Sequence, residues 1–263
     1  MAKTAHGITL KKQYGQHFLR DPRVVEHMLQ AISFDPQLSI FEIGCGDGFL
    51  TERIVAHEFA RLWIFEIDPE WAAFVRTKLV DPRLEIFLDN ILDVEFKRFE
   101  PYAPWVLLAN LPYQITFPLL HLFVANRALL KEGVIMVQEE VAQKIMKTSG
   151  RGYGFPSLYF QHFFEWKALD KIPPTAFYPP PKVFSRLLYF KPRAQLIPIA
   201  QEAEFWKFIK ACFKQPHRTL KNNLAQTHYD LSRIDAATLV LRAQQLAMAD
   251  LLSIWQAFTE SGR

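Results

Sequence analysis

Short apolar runs alternate with longer amphipathic segments between residues 38 and 148. The runs are continuous and rich in β-branched or aromatic residues, which is typical of buried parallel strands. They predict strands at Leu38–Ile43, Leu62–Ile67, Leu84–Leu88, Trp105–Ala109 and Val134–Gln138. The intervening segments predict helices over about residues 49–57, 69–79, 117–130 and 139–148. Because such alternation produces right-handed crossovers, we expect a parallel sheet covered by helices on both faces.

The alternation ends at a glycine-rich loop over residues 150–154. Leu158–Trp166 and Val183–Phe190 then predict two strands with no helix between them, and such strands pair antiparallel. Beyond Pro192 the pattern predicts helices at Glu202–Phe213, Thr219–Ala225 and two further segments ending in Leu251–Phe258. We therefore expect an α/β fold with seven strands, mostly parallel, whose last hairpin is antiparallel. A domain over residues 1–195 should precede a small helical domain over residues 196–263.

Local sequence marks three helix starts. Asp21-Pro22 and Asp68-Pro69 each combine an aspartate, which caps a helix N-terminus, with a proline in the first turn. Thr116-Phe117-Pro118 carries a similar signal. We expect Asp68 to act as a helix cap rather than as a ligand.

Basic residues are concentrated at the two ends of the chain. The net charge is +4 overall, but residues 1–20 carry four basic residues and no acid, residues 21–181 carry −6, and residues 182–263 carry +6. Basic extensions around an acidic body suggest a polyanionic partner held at the periphery. Two basic surfaces that contact only solvent would give the same charge distribution, so charge alone does not establish a polyanionic partner.

Several classes of protein are disfavoured by composition. Cys45 and Cys212 are far apart and lack metal-ligand spacing, which indicates a reducing compartment and neither a disulfide framework nor a metal site. No uninterrupted apolar stretch reaches the length of a membrane span. The eight histidines are scattered and form no ligand or nucleophile motif. We expect a cytoplasmic monomer without a metal.

The first predicted strand runs into Gly44-Cys45-Gly46-Asp47-Gly48, a glycine-rich turn before a helix. The spacing lacks the third glycine of the dinucleotide fingerprint G-x-G-x-x-G. Glu42 and Asp47 also place carboxylates where a pyrophosphate would meet the helix N-terminus. These anions disfavour NAD and suit the ammonium and sulfonium groups of S-adenosylmethionine. Glu42, Gly44 and Gly46 are therefore candidate cofactor residues.

Two further strand ends carry carboxylates. Glu66 lies 22 residues after Gly44, close to the ~20-residue offset of an acid that binds ribose hydroxyls. Asp89 follows the third strand, where a carboxylate could accept from the amino group of a cofactor adenine. An Asx turn at Asp89 would also fit this position.

The fourth strand ends in Asn110-Leu111-Pro112-Tyr113. The Asn110 side-chain oxygen and the Leu111 carbonyl could both accept from an exocyclic amino group, and Tyr113 could stack on the ring that bears it. The tetrapeptide is similar to the Asn/Asp-X-Pro-Tyr/Phe motif of methyltransferases that act on planar amino groups such as N6 of adenine. A proline turn with a core tyrosine would have the same sequence.

A second diagnostic stretch runs from Phe177 to Ser185 and contains three consecutive prolines. A stiffened loop of this kind could hold Phe177 rigidly against a base opposite Tyr113. A target amino group inside a helical stack is unreachable, so such a base must be flipped or unpaired. A polyproline connector with a core phenylalanine is the alternative interpretation.

Four motifs occur in the order and spacing of the ribosomal RNA adenine N6,N6-dimethyltransferases: Gln16-His17-Phe18-Leu19, Glu42–Gly48, Asn110–Tyr113 and Phe177–Ser185. The resemblance covers about residues 10–225, and the proline-rich form of the last motif most resembles the bacterial branch that acts on 16S rRNA. It implies a Rossmann-like class I methyltransferase fold and two adjacent dimethyladenosines in a hairpin near the 3′ end of 16S rRNA. The implied substrate is a late assembly intermediate of the 30S subunit.

The resemblance also implies roles for individual residues. The implied cofactor contacts are His17, Leu19, Gly44, Glu66, Asp89 and Asn110. Leu111, Tyr113 and Phe177 would hold the target base. The N-terminal segment, the Lys182 region and the C-terminal helices would contact the RNA.

The sequence departs from the family pattern at three places. His17 replaces the more usual asparagine, which leaves open whether its contact uses the ring or only the backbone. Glu139-Glu140 stands where the family usually has lysine. The segment from Phe213 to Leu220 is less basic than its counterparts, although Lys214, Arg218 and Lys221 still offer positive charge.

Three other functions remain open at this point. The first is dimethylation of 23S rRNA, as in antibiotic resistance. The second is a DNA N6-adenine methyltransferase, for which residues 196–263 are few to form a target-recognition domain. The third is a non-catalytic ribosome assembly factor that keeps the fold, although the intact motifs at Glu42–Gly48 and Asn110–Tyr113 disfavour lost activity.

Overall fold

The computed structural model describes residues 3–259. The chain forms two compact units. The first comprises the residues up to Ala142 together with Phe164–Pro192, and the second comprises Gln143–Phe163 together with the chain from Arg193 onward.

A seven-stranded sheet forms the centre of the first unit. Its strands are β1 (Ser39–Ile43), β2 (Arg61–Phe65), β3 (Leu84–Phe87), β4 (Trp105–Asn110), β5 (Leu130–Gln138), β6 (Phe164–Ile172) and β7 (Ser185–Pro192). They lie in the order β3-β2-β1-β4-β5-β7-β6. Strands β1 to β5 pair in parallel, and β7 runs antiparallel to both β5 and β6. The predicted mostly parallel sheet with an antiparallel last hairpin is confirmed.

The strand order reverses at the centre of the sheet, where β1 lies between β2 and β4. Ile43 pairs with Phe65 on one side and with Ala109 on the other. The residues that follow these positions, Gly44, Glu66 and Asn110, therefore meet at the carboxyl edge of the sheet. A reversal of this kind leaves a crevice in which open α/β sheets bind their ligands.

The helices of the chain up to Met146 are α1 (Pro22–Gln30), α2 (Thr51–Ile54), α3 (Pro69–Lys78), α4 (Thr116–Ala125) and α5 (Glu139–Met146). The predicted caps are confirmed, since Asp21 accepts from the N–H of Arg23 and Asp68 accepts from the N–H of Glu70. Helix α2 is shorter than the predicted segment. Arg83 donates to the carbonyl oxygens of Val55 and His57 just beyond it.

Close packing across the sheet leaves no room for a side chain at Gly133 of β5. A Cβ atom there would lie 2.6 Å from the ring of Phe190 and 2.9 Å from the carbonyl oxygen of Leu107. We expect Gly133→Ala to lower the free energy of unfolding by about 1–3 kcal/mol, because overpacking forces neighbours out of their rotamers. Denaturant unfolding would measure the loss.

The matched control is Gly154→Ala. A Cβ at Gly154 would have its nearest neighbour, an atom of Phe213, at 3.6 Å, which is an ordinary contact distance. This variant should lose clearly less stability than Gly133→Ala. Equal stability of the two alanine variants would show that the sheet relaxes around residue 133.

The second unit is helical and rich in aromatic contacts. Its helices are α6 (Phe155–Phe163), α7 (Glu202–Cys212), α8 (Leu220–Leu224), α9 (Ala236–Leu239) and α10 (Met248–Thr259). Trp206 of α7 contacts Tyr159 of α6, with the ring centroids 4.9 Å apart. Trp255 of α10 stacks on Phe208, and its indole N–H donates to the carbonyl of Ala200.

The predicted strand Leu158–Trp166 is wrong over most of its length. Residues up to Phe163 form helix α6, and the strand begins only at Phe164. The continuous apolar run is compatible with either structure, and here Tyr159 and Phe163, four residues apart, both contact Trp206. This packing places residues 143–163 in the second unit, whereas the sequence assigned them to the domain ending at residue 195.

Among residues 3–259, no helix has both the length and the apolar character needed to cross a membrane.

Candidate active site

A cleft opens in the first unit at the carboxyl ends of the central strands. Ten of the eleven residues proposed from the sequence line it: His17, Leu19, Glu42, Gly44, Gly46, Glu66, Asp89, Asn110, Leu111 and Tyr113. They come from five separate segments of the chain, which the reversal of strand order brings together. Phe177, the eleventh, does not line the cleft.

The glycine-rich loop after β1 requires glycine at its centre. Gly46 has φ +53°, a left-handed conformation that side chains rarely adopt, and a Cβ there would lie 2.9 Å from the ring of Phe18. Its N–H donates to a carboxylate oxygen of Glu66 at 3.2 Å. One side of the loop is therefore packed against Phe18, and the other side presents only backbone atoms.

Glu42 is a buried acid with an unsatisfied oxygen. Its side chain is 1% exposed, and its Oε2 accepts from the hydroxyl of Thr51 at 2.8 Å. Its Oε1 has no hydrogen-bond partner among the described residues. Burial raises the pKa of this carboxyl from 4.5 to about 8. A buried polar atom without a partner in a cleft indicates a missing donor.

Glu66 and Asp89 differ in their surroundings. Glu66 is buried and accepts from the N–H groups of Gly46 and Asp68. Burial raises the pKa of Glu66, and these two N–H groups oppose the rise. Asp89 is about half exposed and lies 3.6 Å from Arg98. Both carboxylates line the cleft, one at the end of β2 and one beyond β3.

The basic N-terminal segment is bound to the first unit through two acids. Asp47 is 4% exposed and pairs with Arg20 at 2.7 Å and His6 at 3.1 Å. Asp68 pairs with Lys11 at 2.6 Å and accepts from Gln16 at 2.9 Å. The expectation that Asp47 offers a free negative charge to the cofactor is therefore wrong, because the side chains of Arg20 and His6 already contact it.

The side chain of Asn110 has a defined orientation. Its Nδ2 donates to the carbonyl oxygen of His17 at 3.0 Å. A carbonyl can only accept, so the amide nitrogen must face His17 and the oxygen Oδ1 remains an acceptor. The next residue, Leu111, is held by its own N–H, which donates to the carbonyl of Met136 at 3.1 Å.

Tyr113 connects the tetrapeptide to two other loops. Its hydroxyl is hydrogen-bonded to that of buried Ser185, with 2.6 Å between the oxygens. The ring of His17 stacks on the Tyr113 ring, with the centroids 5.8 Å apart, and Nδ1 of His17 donates to the carbonyl of Pro179 at 2.7 Å. Burial raises the pKa of the Tyr113 hydroxyl, which keeps it protonated at neutral pH. Nothing in the local sequence indicated the roles of Ser185 and Thr51.

Phe177 lies in the hydrophobic core instead of the cleft. Its side chain is 4% exposed and packs in the same cluster as Leu19 and Ala176. Phe177 also pairs with Leu19 in a two-residue antiparallel ladder. Successive residues of a strand point to opposite faces, so Tyr178 faces outward while Phe177 faces inward. The expectation that Phe177 clamps a base opposite Tyr113 does not hold in this structure.

The donor set of the cleft fits S-adenosylmethionine. The unpaired Oε1 of Glu42 suits a cationic amino group, and Glu66 and Asp89 supply acceptors for hydroxyl and amino groups. The bare backbone at Gly44 and Gly46 allows a ligand to approach closely. No group of three histidine, cysteine or acidic side chains within residues 3–259 is placed to hold a metal ion.

Comparison with known proteins places the chain in a family. The family described as ribosomal RNA adenine dimethylase matches residues 7–259. The ribosomal RNA small subunit methyltransferase A of Chlorobium phaeobacteroides is 32% identical over 250 residues, covering 95% of this chain and 91% of the relative. The protein of the same name from Desulfitobacterium hafniense is 36% identical over 220 residues, covering 83% of this chain and 79% of the relative.

Solved structures share the fold. A dimethyladenosine transferase from Plasmodium falciparum aligns with a TM-score of 0.78 at 20% identity, covering 92% of this chain and 97% of that protein. The 23S rRNA methyltransferase ErmE aligns with a TM-score of 0.72 at 21% identity, covering 92% of this chain and all of that one. The chain is thus an S-adenosylmethionine-dependent methyltransferase, and it belongs to the ribosomal RNA adenine dimethylase family.

Proposed function

We propose that this enzyme dimethylates N6 of two adjacent adenosines in the 3′-terminal hairpin of 16S rRNA, late in the assembly of the 30S subunit. The observation that carries the proposal is the orientation of Asn110, whose amide nitrogen is bound and whose oxygen is left as an acceptor in the cleft. The relatives named small subunit methyltransferase A, which align over most of this chain, support the choice of the small subunit over 23S rRNA.

The proposed cofactor residues all line the cleft. S-adenosylmethionine, when bound, supplies an electrophilic methyl group on a sulfonium centre. Glu42 would hold its amino group, Glu66 its ribose and Asp89 its adenine. His17, Leu19 and the backbone at Gly44, Gly46 and Asn110 would complete the site.

The tetrapeptide orients the target amine. The Oδ1 of Asn110 and the carbonyl of Leu111 accept hydrogen bonds from the two N6–H groups, which turns the nitrogen lone pair away from them and stabilises positive charge on the nitrogen. Tyr113 stacks on the adenine ring. A monomethylated amine keeps one hydrogen for these acceptors, whereas a dimethylated amine has none. Loss of both hydrogen bonds therefore favours release after the second transfer.

Contacts with RNA phosphates would come mainly from outside the cleft. Lys182 is exposed in the proline-rich loop, and Lys214, Arg218 and Lys221 are exposed in the second unit. Such contacts position the substrate without reading its sequence. Lys11 and Arg20 form ion pairs within the protein, so they contribute less to RNA binding than the charge of the N-terminal segment suggests. We propose that the protein works in the cytoplasm as a monomer.

The proposal is tested by transfer of labelled methyl from S-adenosylmethionine to unmethylated 30S particles. Separate reactions contain 50S particles, naked rRNA or DNA. We expect label only with 30S particles. Label in 50S particles or naked 23S rRNA would place the enzyme in the resistance branch. No label anywhere, with cofactor binding intact, would favour an assembly factor without catalysis.

A further inference from the structure

The proline-rich loop that contacts His17 and Tyr113 also carries exposed aromatic side chains. Tyr178 is 42% exposed and Phe184 is 45% exposed, whereas Phe177, which packs in the core, is 4% exposed. Large aromatic side chains are costly to leave in water, and an exposed cluster of them next to a binding site commonly marks a contact surface. We call Tyr178 and Phe184 the rim aromatics.

Both rim aromatics are held by their neighbours. Tyr178 precedes Pro179, whose carbonyl accepts from His17, the residue that stacks on Tyr113. Phe184 precedes Ser185, whose hydroxyl is hydrogen-bonded to Tyr113. Along the chain, each rim aromatic is therefore one residue away from a group that contacts His17 or Tyr113.

Two lysines lie near the rim aromatics, one in space and one in the sequence of the loop. Nζ of Lys171 lies 4.6 Å from the centre of the Phe184 ring, and Lys182 is exposed in the same loop. Of the nearby acids, Glu139 is bound by the guanidinium of Arg186 through contacts of 2.7 and 3.0 Å, and Asp170, which precedes Lys171, pairs with His27. Exposed rings interleaved with lysines are how proteins hold single-stranded nucleic acid, by stacking on bases and pairing with phosphates.

We infer that Tyr178 and Phe184 stack on unpaired nucleotides flanking the target adenosine, while Lys171 and Lys182 contact the phosphates between them. The inference rests on the proposed function. A target base that leaves its stack also exposes its neighbours, and stacking on the rim aromatics stabilises that opened RNA.

The test compares steady-state kinetics of wild type and a Tyr178→Ala/Phe184→Ala double variant with 30S particles. Removing one base–aromatic stack commonly weakens binding by about tenfold. We expect the KM for 30S particles to rise at least about tenfold in the double variant. The affinity for S-adenosylmethionine and the melting temperature should stay unchanged. Tyr178→Phe/Phe184→Tyr, which keeps both rings, should restore the wild-type KM.

Val183→Ala is the matched control, because Val183 is an exposed aliphatic residue of the same loop. Its KM for 30S particles should equal that of wild type. An unchanged KM in the double variant, or an equal rise in Val183→Ala, would overturn the inference. Absence of methylation by wild type would instead count against the proposed function.

A photo-crosslinking amino acid at position 178 distinguishes RNA from protein as the partner. We expect crosslinks to 16S rRNA nucleotides next to the methylated adenosines. Crosslinks to a ribosomal protein in place of RNA would also overturn the inference.

Discussion

Asn110→Ala should slow methylation of 30S particles strongly and leave their binding intact. The variant removes the side-chain acceptor for N6 and the amide that donates to the carbonyl of His17. Loss of one preorganised group that stabilises charge commonly costs a factor of about 10²–10³ in kcat. The phosphate contacts that supply most of the affinity for RNA lie elsewhere, so binding should change little. Single-turnover methylation and a particle-binding assay measure the two effects.

Asn126→Ala provides the control for Asn110→Ala. The amide of Asn126 donates to the carbonyl of Leu122 at the end of α4, and Asn126 does not line the cleft. This variant should retain wild-type activity. Loss of both methylation and 30S binding in folded Asn110→Ala would contradict the assignment of a purely chemical role.

Glu42→Gln should weaken S-adenosylmethionine binding and remove its dependence on pH below about 8. The Glu42 carboxyl has a pKa of about 8 because it is buried, so at neutral pH it is mostly protonated. A cationic amino group at its unpaired Oε1 favours the ionised form, and binding then releases a proton. Wild-type affinity should therefore rise with pH, by up to about tenfold per unit, and level off above pH 8.

Although Glu42→Gln should weaken cofactor binding, it should raise the thermal stability of the protein at high pH. An acid whose pKa is higher in the folded state stabilises the fold fully only below its unfolded pKa, near 4.5, and loses that contribution as pH rises to about 8. Glutamine does not ionise, so the variant does not lose stability in this way as the pH rises. Glu42→Gln should thus melt at a higher temperature than wild type at pH 8 and at a similar temperature at pH 4.5. Calorimetric titration and thermal melts at several pH values measure both effects, and pH-independent binding in wild type would rule out this role for Glu42.

Much of the fold follows from local patterns. The three central strands β1, β2 and β4 are short apolar runs buried on both faces, and the Asp-Pro pairs at residues 21 and 68 cap their helices as predicted. The cleft could also be located, because parallel strands place their carboxyl ends at one edge of the sheet. The residues at those ends, Glu42 to Gly46, Glu66 and Asn110, therefore lie together.

The errors arise where contacts between distant residues decide the structure. Asp47 looks like a free anion in the sequence, but Arg20 and His6 come back to pair with it. The sequence offers Phe177 as a base contact, but strand pairing with Leu19 places its ring inward. The apolar run before Phe164 fits a helix or a strand, and contact with Trp206 favours the helix. The sequence next to each of these residues gives no indication of the distant residues that contact it.

The identity of the methylated nucleosides tests the central claim most directly. Unmethylated 30S particles are incubated with the enzyme and S-adenosylmethionine, and the 3′-terminal fragment of 16S rRNA is digested and analysed by mass spectrometry. The account predicts N6,N6-dimethyladenosine at two adjacent positions, and far less of it with Asn110→Ala. Methyl groups only on another nucleoside, or N6-monomethyladenosine that never proceeds to the dimethylated form, would contradict it.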